Sequence, residues 1–129
     1  MNKRVLVIDD EPELIKLVSI FLGMAGFEVV GAHDGLSAIE NLERLSPDLV
    51  ICDMVMPAMD GIETIKAIRA HPRMSSIPII MLSARGQMDE IERALAVGAN
   101  DYIMKPFSGA EVIRIVKKYL SREPSVVPN

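Results

Sequence analysis

The sequence predicts an α/β domain with a mostly parallel sheet and helices on both faces. Short apolar runs alternate with helical patterns five times. This strict strand–helix alternation with short loops implies parallel crossovers, each made by a helix. Two of the runs, Val5–Ile8 and Leu49–Cys52, hold no polar residue, as expected of strands covered on both sides.

Val5–Ile8 reads as the first strand. Leu14, Ile15, Leu17, Val18, Phe21 and Leu22 recur at helical spacing, and Gly26 is placed to cap that helix. Phe27–Val30 is a weaker second strand. Leu36, Ile39, Leu42 and Leu45 mark a second helix, stopped by Ser46-Pro47-Asp48. The third strand, Leu49–Cys52, runs into Asp53, and Ile62, Ile65 and Ile68 carry the third helix, with Gly61 near its start. Residues 77–82 form the fourth strand, where Pro78 must fall outside the hydrogen-bonded ladder. Met88, Ile91 and Leu95 give the fourth helix, Tyr102–Met104 the fifth strand, and Val112, Ile113, Val116 and Leu120 the fifth helix. The expectation is one domain over residues 1–121 and a proline-bearing tail or linker over 122–129.

At 129 residues, half of them hydrophobic, the chain has room for one core and not two. A net charge of −4 argues against a nucleic-acid surface. The lone cysteine, Cys52, excludes an internal disulfide and fits a reducing compartment. The four-residue apolar run near the N-terminus is too short for a signal peptide, and no stretch approaches the ~20 residues that span a bilayer. The expected setting is soluble and cytoplasmic. The nine methionines read as core filler.

In a parallel sheet the C-terminal ends of the strands share one edge, where ligands bind. That edge gathers Asp9 and Asp10 from the first strand, Asp53 from the third, Ser83 from the fourth and Lys105 from the fifth. Two carboxylates about 5 Å apart repel by roughly 3 kcal/mol at an effective dielectric of about 20. Three together need a counter-charge beyond one lysine. A hard divalent cation suits oxygen-only ligands, and Mg²⁺ takes few carboxylates and keeps waters. A carboxylate beside a metal and an ammonium is also a constellation for phosphoryl transfer, with Asp53 the best candidate nucleophile. Read singly, these residues have plainer roles: Asp9 and Asp10 as helix caps, Asp53 and Ser83 as turn residues, Lys105 at the surface. Glu11 reads as helix-dipole support, and His33 and His71 lack ligand spacing.

"VLVIDDEPE", "DLVICDMVMPAMDG", "IPIIMLSA" and "GANDYIMKPF", in this order and spacing, resemble the receiver domain of two-component response regulators over residues 3–121. The resemblance implies a flavodoxin-like fold, strand order 2-1-3-4-5, with five helices on the two faces. It implies a phosphoryl group passed from a sensor histidine kinase or phosphotransfer protein to Asp53. Mg²⁺ would be held by Asp10 directly, Asp9 largely through water, Asp53, and the Val55 carbonyl. Ser83 would be the switch hydroxyl, Lys105 the phosphoryl-contacting lysine and Tyr102 the switch aromatic. The Lys105–Pro106 bond would be cis. Val55 and Arg85 occupy positions that tune phosphoryl lifetime, and the face of the fourth helix, fifth strand and fifth helix would meet an effector or a second copy. A self-modifying switch is thus the leading expectation, rather than an enzyme with a free substrate. Two alternatives stand beside it: an aspartyl-phosphate metal-dependent phosphohydrolase, and a receiver-like scaffold that needs no phosphorylation. The first usually wants a D-x-D motif and a cap, whereas Met54 and Val55 follow Asp53. No effector domain is expected within this length, so the chain reads as a stand-alone receiver or one cut at a linker.

Overall fold

In the computed structural model, which describes residues 2–84 and 86–120, five strands pair in one parallel sheet. They are β1 (Arg4–Ile8), β2 (Glu28–Ala32), β3 (Leu49–Asp53), β4 (Ile79–Ala84) and β5 (Asp101–Lys105), in spatial order β2-β1-β3-β4-β5. Order reverses between β1 and β3, which makes the C-terminal ends of those two strands a topological switch point.

Side-chain alternation explains the two all-apolar runs within β1 and β3. Val5 and Val7, with Leu49 and Ile51, meet one helical layer, whereas Leu6 and Ile8, with Val50 and Cys52, meet the other. The first layer is α1 (Pro12–Met24) and α6 (Gly109–Leu120). The second comprises α2 (Gly35–Glu40), α3 (Leu42–Leu45), α4 (Gly61–Arg69) and α5 (Met88–Ala96). Every residue from Val5 to Asp9 and from Leu49 to Cys52 is fully buried.

Among the described residues there are six helices, where the periodicity predicts five. The second predicted helix divides at Asn41, whose backbone (φ −109°, ψ 9°) leaves the helical region. The Asn41 side-chain amide donates to the Ser37 carbonyl at 2.8 Å, competing with the backbone for that acceptor. The apolar stripe continues across the break, so Ala38 and Leu42 are still buried together. Ser46, in the left-handed region at φ 48°, ends α3. At the end of α1, Gly26 (φ 92°) donates to the Gly23 carbonyl and Phe27 to that of Leu22, closing the expected glycine cap. Leu17, Leu36, Met88 and Leu95, counted in the apolar stripes of their helices, are exposed instead. The tail over 122–129 lies outside the described residues.

Far from the polar edge, Arg69 ties three segments together. Its guanidinium donates to the Gly98 carbonyl (2.6 and 3.0 Å), to the carbonyls of Ser75 (2.9 Å) and Ile77 (2.7 Å), and to Asn100 Oδ1 (2.9 Å). Only a planar fork reaches all of these acceptors at once. Arg69→Ala is expected to lower unfolding free energy by about 2 kcal/mol, with Lys recovering less than half. Urea denaturation curves measure both.

Candidate functional site

β1 and β3 deliver their acids to the switch point by the same parity. Asp9 follows Val7, and Asp53 follows Ile51, so alternation sends both toward the α1/α6 side of the sheet edge. Lys105, two residues after Ile103, shares that parity on β5. Its Nζ donates to Asp53 Oδ1 at 3.2 Å. Asp10, which follows Asp9, is exposed at the mouth. One carboxylate oxygen from each of Asp9, Asp10 and Asp53 lies within 4.8 Å of the others.

The resulting cleft, about 350 Å³, is lined by Asp10, Glu11, Asp53, Val55, Ala84 and Lys105 among others. Its electrostatics are unbalanced. Asp9 is fully buried; its Oδ1 accepts the Glu11 backbone N–H at 2.9 Å, whereas Oδ2 accepts no hydrogen bond from the described residues. Burial, only partly offset by the Glu11 N–H, pushes the Asp9 carboxyl up to about 6, with the neighbouring Asp53 charge adding to the rise. Burial also raises Asp53 above the ordinary carboxylate value, while the Lys105 ammonium and the Val55 amide pull it back. A buried carboxylate oxygen without a donor is costly. An oxygen-only donor set with one unpartnered buried atom fits a hard divalent cation.

Asp9, Asp10, Asp53 and Lys105 therefore converge as expected, with Val55, 68 % exposed, on the rim. Ser83 is at the same edge but on the other parity, following Met81; it is 1 % exposed and its hydroxyl donates to the Ala84 carbonyl at 3.3 Å. Tyr102 lies opposite Met81 and packs on the core beneath α4 and α5. Asp53, Ser83 and Lys105 belong to the ends of their strands rather than to the loops beyond them. The Lys105–Pro106 peptide is cis. Arg85 lies outside the described residues.

Two contributors escape the sequence pattern. The Glu11 backbone N–H, in an Asx-type turn followed by Pro12, orients Asp9; the acid at i and donor at i+2 were its only signal. Gly61, the first residue of α4, donates its N–H to the Met54 carbonyl at 3.0 Å, directly behind Asp53.

This fold and site have close counterparts. The family described as response regulator receiver domain matches residues 5–117. The chain is 39 % identical, over its whole length, to the alkaline phosphatase synthesis transcriptional regulatory protein PhoP of Bacillus subtilis, covering 53 % of that protein. It is 38 % identical to the phosphate regulon transcriptional regulatory protein PhoB of Escherichia coli, over 95 % of this chain and 53 % of that one. The chain thus spans about half the length of these curated relatives. A response regulator structure from Chloroflexus aurantiacus superposes with a TM-score of 0.90 at 34 % identity, covering 95 % of this chain and all of that one. The receiver domain of a Pseudomonas aeruginosa sensor histidine kinase, with magnesium coordinated in its active site cleft, superposes with a TM-score of 0.83 at 31 % identity, covering 92 % of this chain and 98 % of that one. The chain belongs to the response regulator receiver domains of two-component systems.

Proposed function

We propose that this chain is a phosphorylation-controlled switch that accepts a phosphoryl group on Asp53 from a histidine kinase or phosphotransfer protein. The observation that carries this reading is the Asp53–Lys105 contact beside an acid whose buried oxygen has no partner. In the transfer, an Asp53 oxygen forms a bond to phosphorus as the phosphorus–nitrogen bond of the donor imidazole breaks, the electron pair leaving with nitrogen. Lys105 then moves from the free carboxylate to a phosphoryl oxygen, so the cation that anchors the acceptor at rest also neutralises the product.

Asp9, Asp10, Asp53 and the Val55 carbonyl are the groups that would hold Mg²⁺, which when bound neutralises charge on the phosphoryl oxygens. Asp9 and Asp10 contribute negative charge that is uncomfortable without it. The chemistry is the chain's own modification and its reversal, not turnover of a free substrate. The family match leaves the phosphohydrolase alternative without support.

Ser83 and Tyr102 are the residues through which phosphorylation would reach a partner. Both lie on the sheet face covered by α4 and α5, and Tyr102, half-buried, also lines a pocket between β5 and α6. This is the face anticipated as fourth helix, fifth strand and fifth helix, renumbered because the second helix divides. We assign it to effector docking or self-association. The relatives' names describe transcriptional regulators, which makes a DNA-binding output half the natural target of this switch; the receiver would not touch nucleic acid itself. No helix among the described residues is long and apolar enough to cross a membrane, and a kinase-fed switch of this kind would act in the cytoplasm.

Acetyl phosphate with Mg²⁺ should label the chain once, at Asp53, and Asp53→Asn should abolish the label. Intact-mass spectrometry with peptide mapping decides this, and an adduct elsewhere would falsify the assignment.

The buried Asp9 charge has a thermodynamic consequence. Its pKa is higher folded, about 6, than the ordinary 3.8, so the folded chain holds the proton more tightly. Stability from the protonated carboxyl is present below about 3.8 and is lost as pH rises through about 6. Asp9→Asn should therefore stabilise the metal-free protein at pH 7.5 by about 1–2 kcal/mol. Mg²⁺ should raise the urea midpoint of the parent but not of the variant.

Val55 cannot hydrogen-bond an attacking water. Val55→Asn supplies one bond, worth about 0.5–1.5 kcal/mol, and should speed loss of the phosphoryl group roughly two- to tenfold. Decay of the phosphorylated chain, followed by acid-quench mass spectrometry, tests it; an unchanged rate removes Val55 from the account.

A further inference from the structure

We infer that Gly61 is a positioning residue for the acceptor: the first turn of α4 is seated directly on the Asp53–Met54 backbone, and only a residue without a side chain fits there. The inference rests on the reading of Asp53 as the phosphoacceptor. A Cβ built on Gly61 would lie 2.7 Å from the Asp53 carbonyl oxygen, 2.8 Å from Met54 Cα and 2.9 Å from Met81 Cε. The methionine methyl can swing away, but the two backbone atoms cannot.

Gly61 does not need its conformational freedom. It is the first residue of α4 and has no left-handed φ, since the positive-φ glycines described are Gly26, Gly86 and Gly98. On helix propensity alone, alanine would be favoured at this position. The reason for glycine is proximity.

Neither side of the contact is free to retreat. The start of α4 is locked by a reciprocal cap, in which Asp60 Oδ1 accepts the Glu63 N–H at 2.9 Å and Glu63 Oε1 accepts the Asp60 N–H at 3.1 Å. Thr64, fully buried, donates its hydroxyl to the Asp60 carbonyl at 2.8 Å. On the strand side, Asp53 is in register with Leu82, and Met54 donates to the Leu82 carbonyl at 3.2 Å. The Gly61 N–H to the Met54 carbonyl joins the two assemblies. A methyl group at position 61 therefore shifts the backbone that carries the Asp53 carboxylate, and moves it relative to Lys105 and the other two acids. Reactive groups held in line lose rate steeply with small displacements.

The test compares Gly61→Ala with two controls. Ile65→Val removes one methyl from a fully buried residue on the same helix, and Gly23→Ala adds a Cβ in α1 where nothing lies within 4 Å. Each chain is labelled with acetyl phosphate at saturating Mg²⁺, and rate constant and final stoichiometry are read separately by mass spectrometry, beside the folded fraction from circular dichroism. Loss of folded molecules lowers the apparent rate only in proportion to that fraction. A displaced acceptor lowers the rate constant of the folded molecules. The expected result is a drop on the order of tenfold for Gly61→Ala after correction for folded fraction, with both controls within twofold of the parent. If Gly61→Ala unfolds in buffer, the series is run in trimethylamine oxide, which favours the compact state without touching the contact. A Gly61→Ala rate constant equal to that of the parent overturns the inference, as does an equal slowing in Ile65→Val. A parent that takes no label at Asp53 overturns the acceptor reading itself, and the inference with it.

Discussion

Uncompensated negative charge at one end of a buried sheet is the constraint around which this molecule is arranged. Asp9 is fully enclosed, and one of its two oxygens has no donor among the described residues. Asp53 is nearly as enclosed and has one ammonium for company. A chain selected for stability alone would not keep this arrangement, because an apolar or amide residue at position 9 removes the penalty. The rest of the fold supplies the rigidity that holds the acids together regardless. The apolar runs Val5–Ile8 of β1 and Leu49–Cys52 of β3, covered on both faces, leave the ends of those strands no slack. The penalty is therefore stored until a cation relieves it.

The sheet also sorts the chemistry by parity. Asp9, Asp53 and Lys105 follow residues that face α1 and α6, while Ser83 and Tyr102 follow the side of α4 and α5. The charge cluster and the proposed coupling pair thus lie on opposite sides of one sheet edge, joined through backbone that the ladder keeps stiff. Ser83 is in register with Met104, one residue before Lys105. A change at Lys105 is consequently adjacent, along the backbone and across the ladder, to the hydroxyl that donates to the Ala84 carbonyl.

Much of this was legible in the residues because each signal was either periodic or chemically expensive. Alternating apolar runs predict the parallel sheet, and three acids after two greasy strands make no sense apart from a shared edge. Other features leave no such trace. The break at Asn41 depends on a side-chain amide reaching the Ser37 carbonyl, while the apolar spacing passes through it uninterrupted. Arg69 resembles any helix-end arginine until the acceptors at 75, 77, 98 and 100 come together around it. Leu17 and Leu36 fit the helical spacing yet point outward, because a stripe of apolar residues can be wider than the groove that receives it.

Gly61 shows why composition alone conceals a positioning role. Asp60-Gly61 reads as helix-start chemistry, and half of that reading is sufficient: Asp60 caps α4 reciprocally with Glu63. The glycine itself contradicts the propensity of the helix it begins, and its closeness to the Asp53 carbonyl oxygen and Met54 Cα accounts for it. A residue that breaks its local rule at the back of a charged cleft is explained by what it allows its neighbour to do. Here the cap fixes the helix, the helix fixes the strand end, and the strand end carries the carboxylate. The precision of the site is thus built from behind, by a contact on the face opposite to its chemistry.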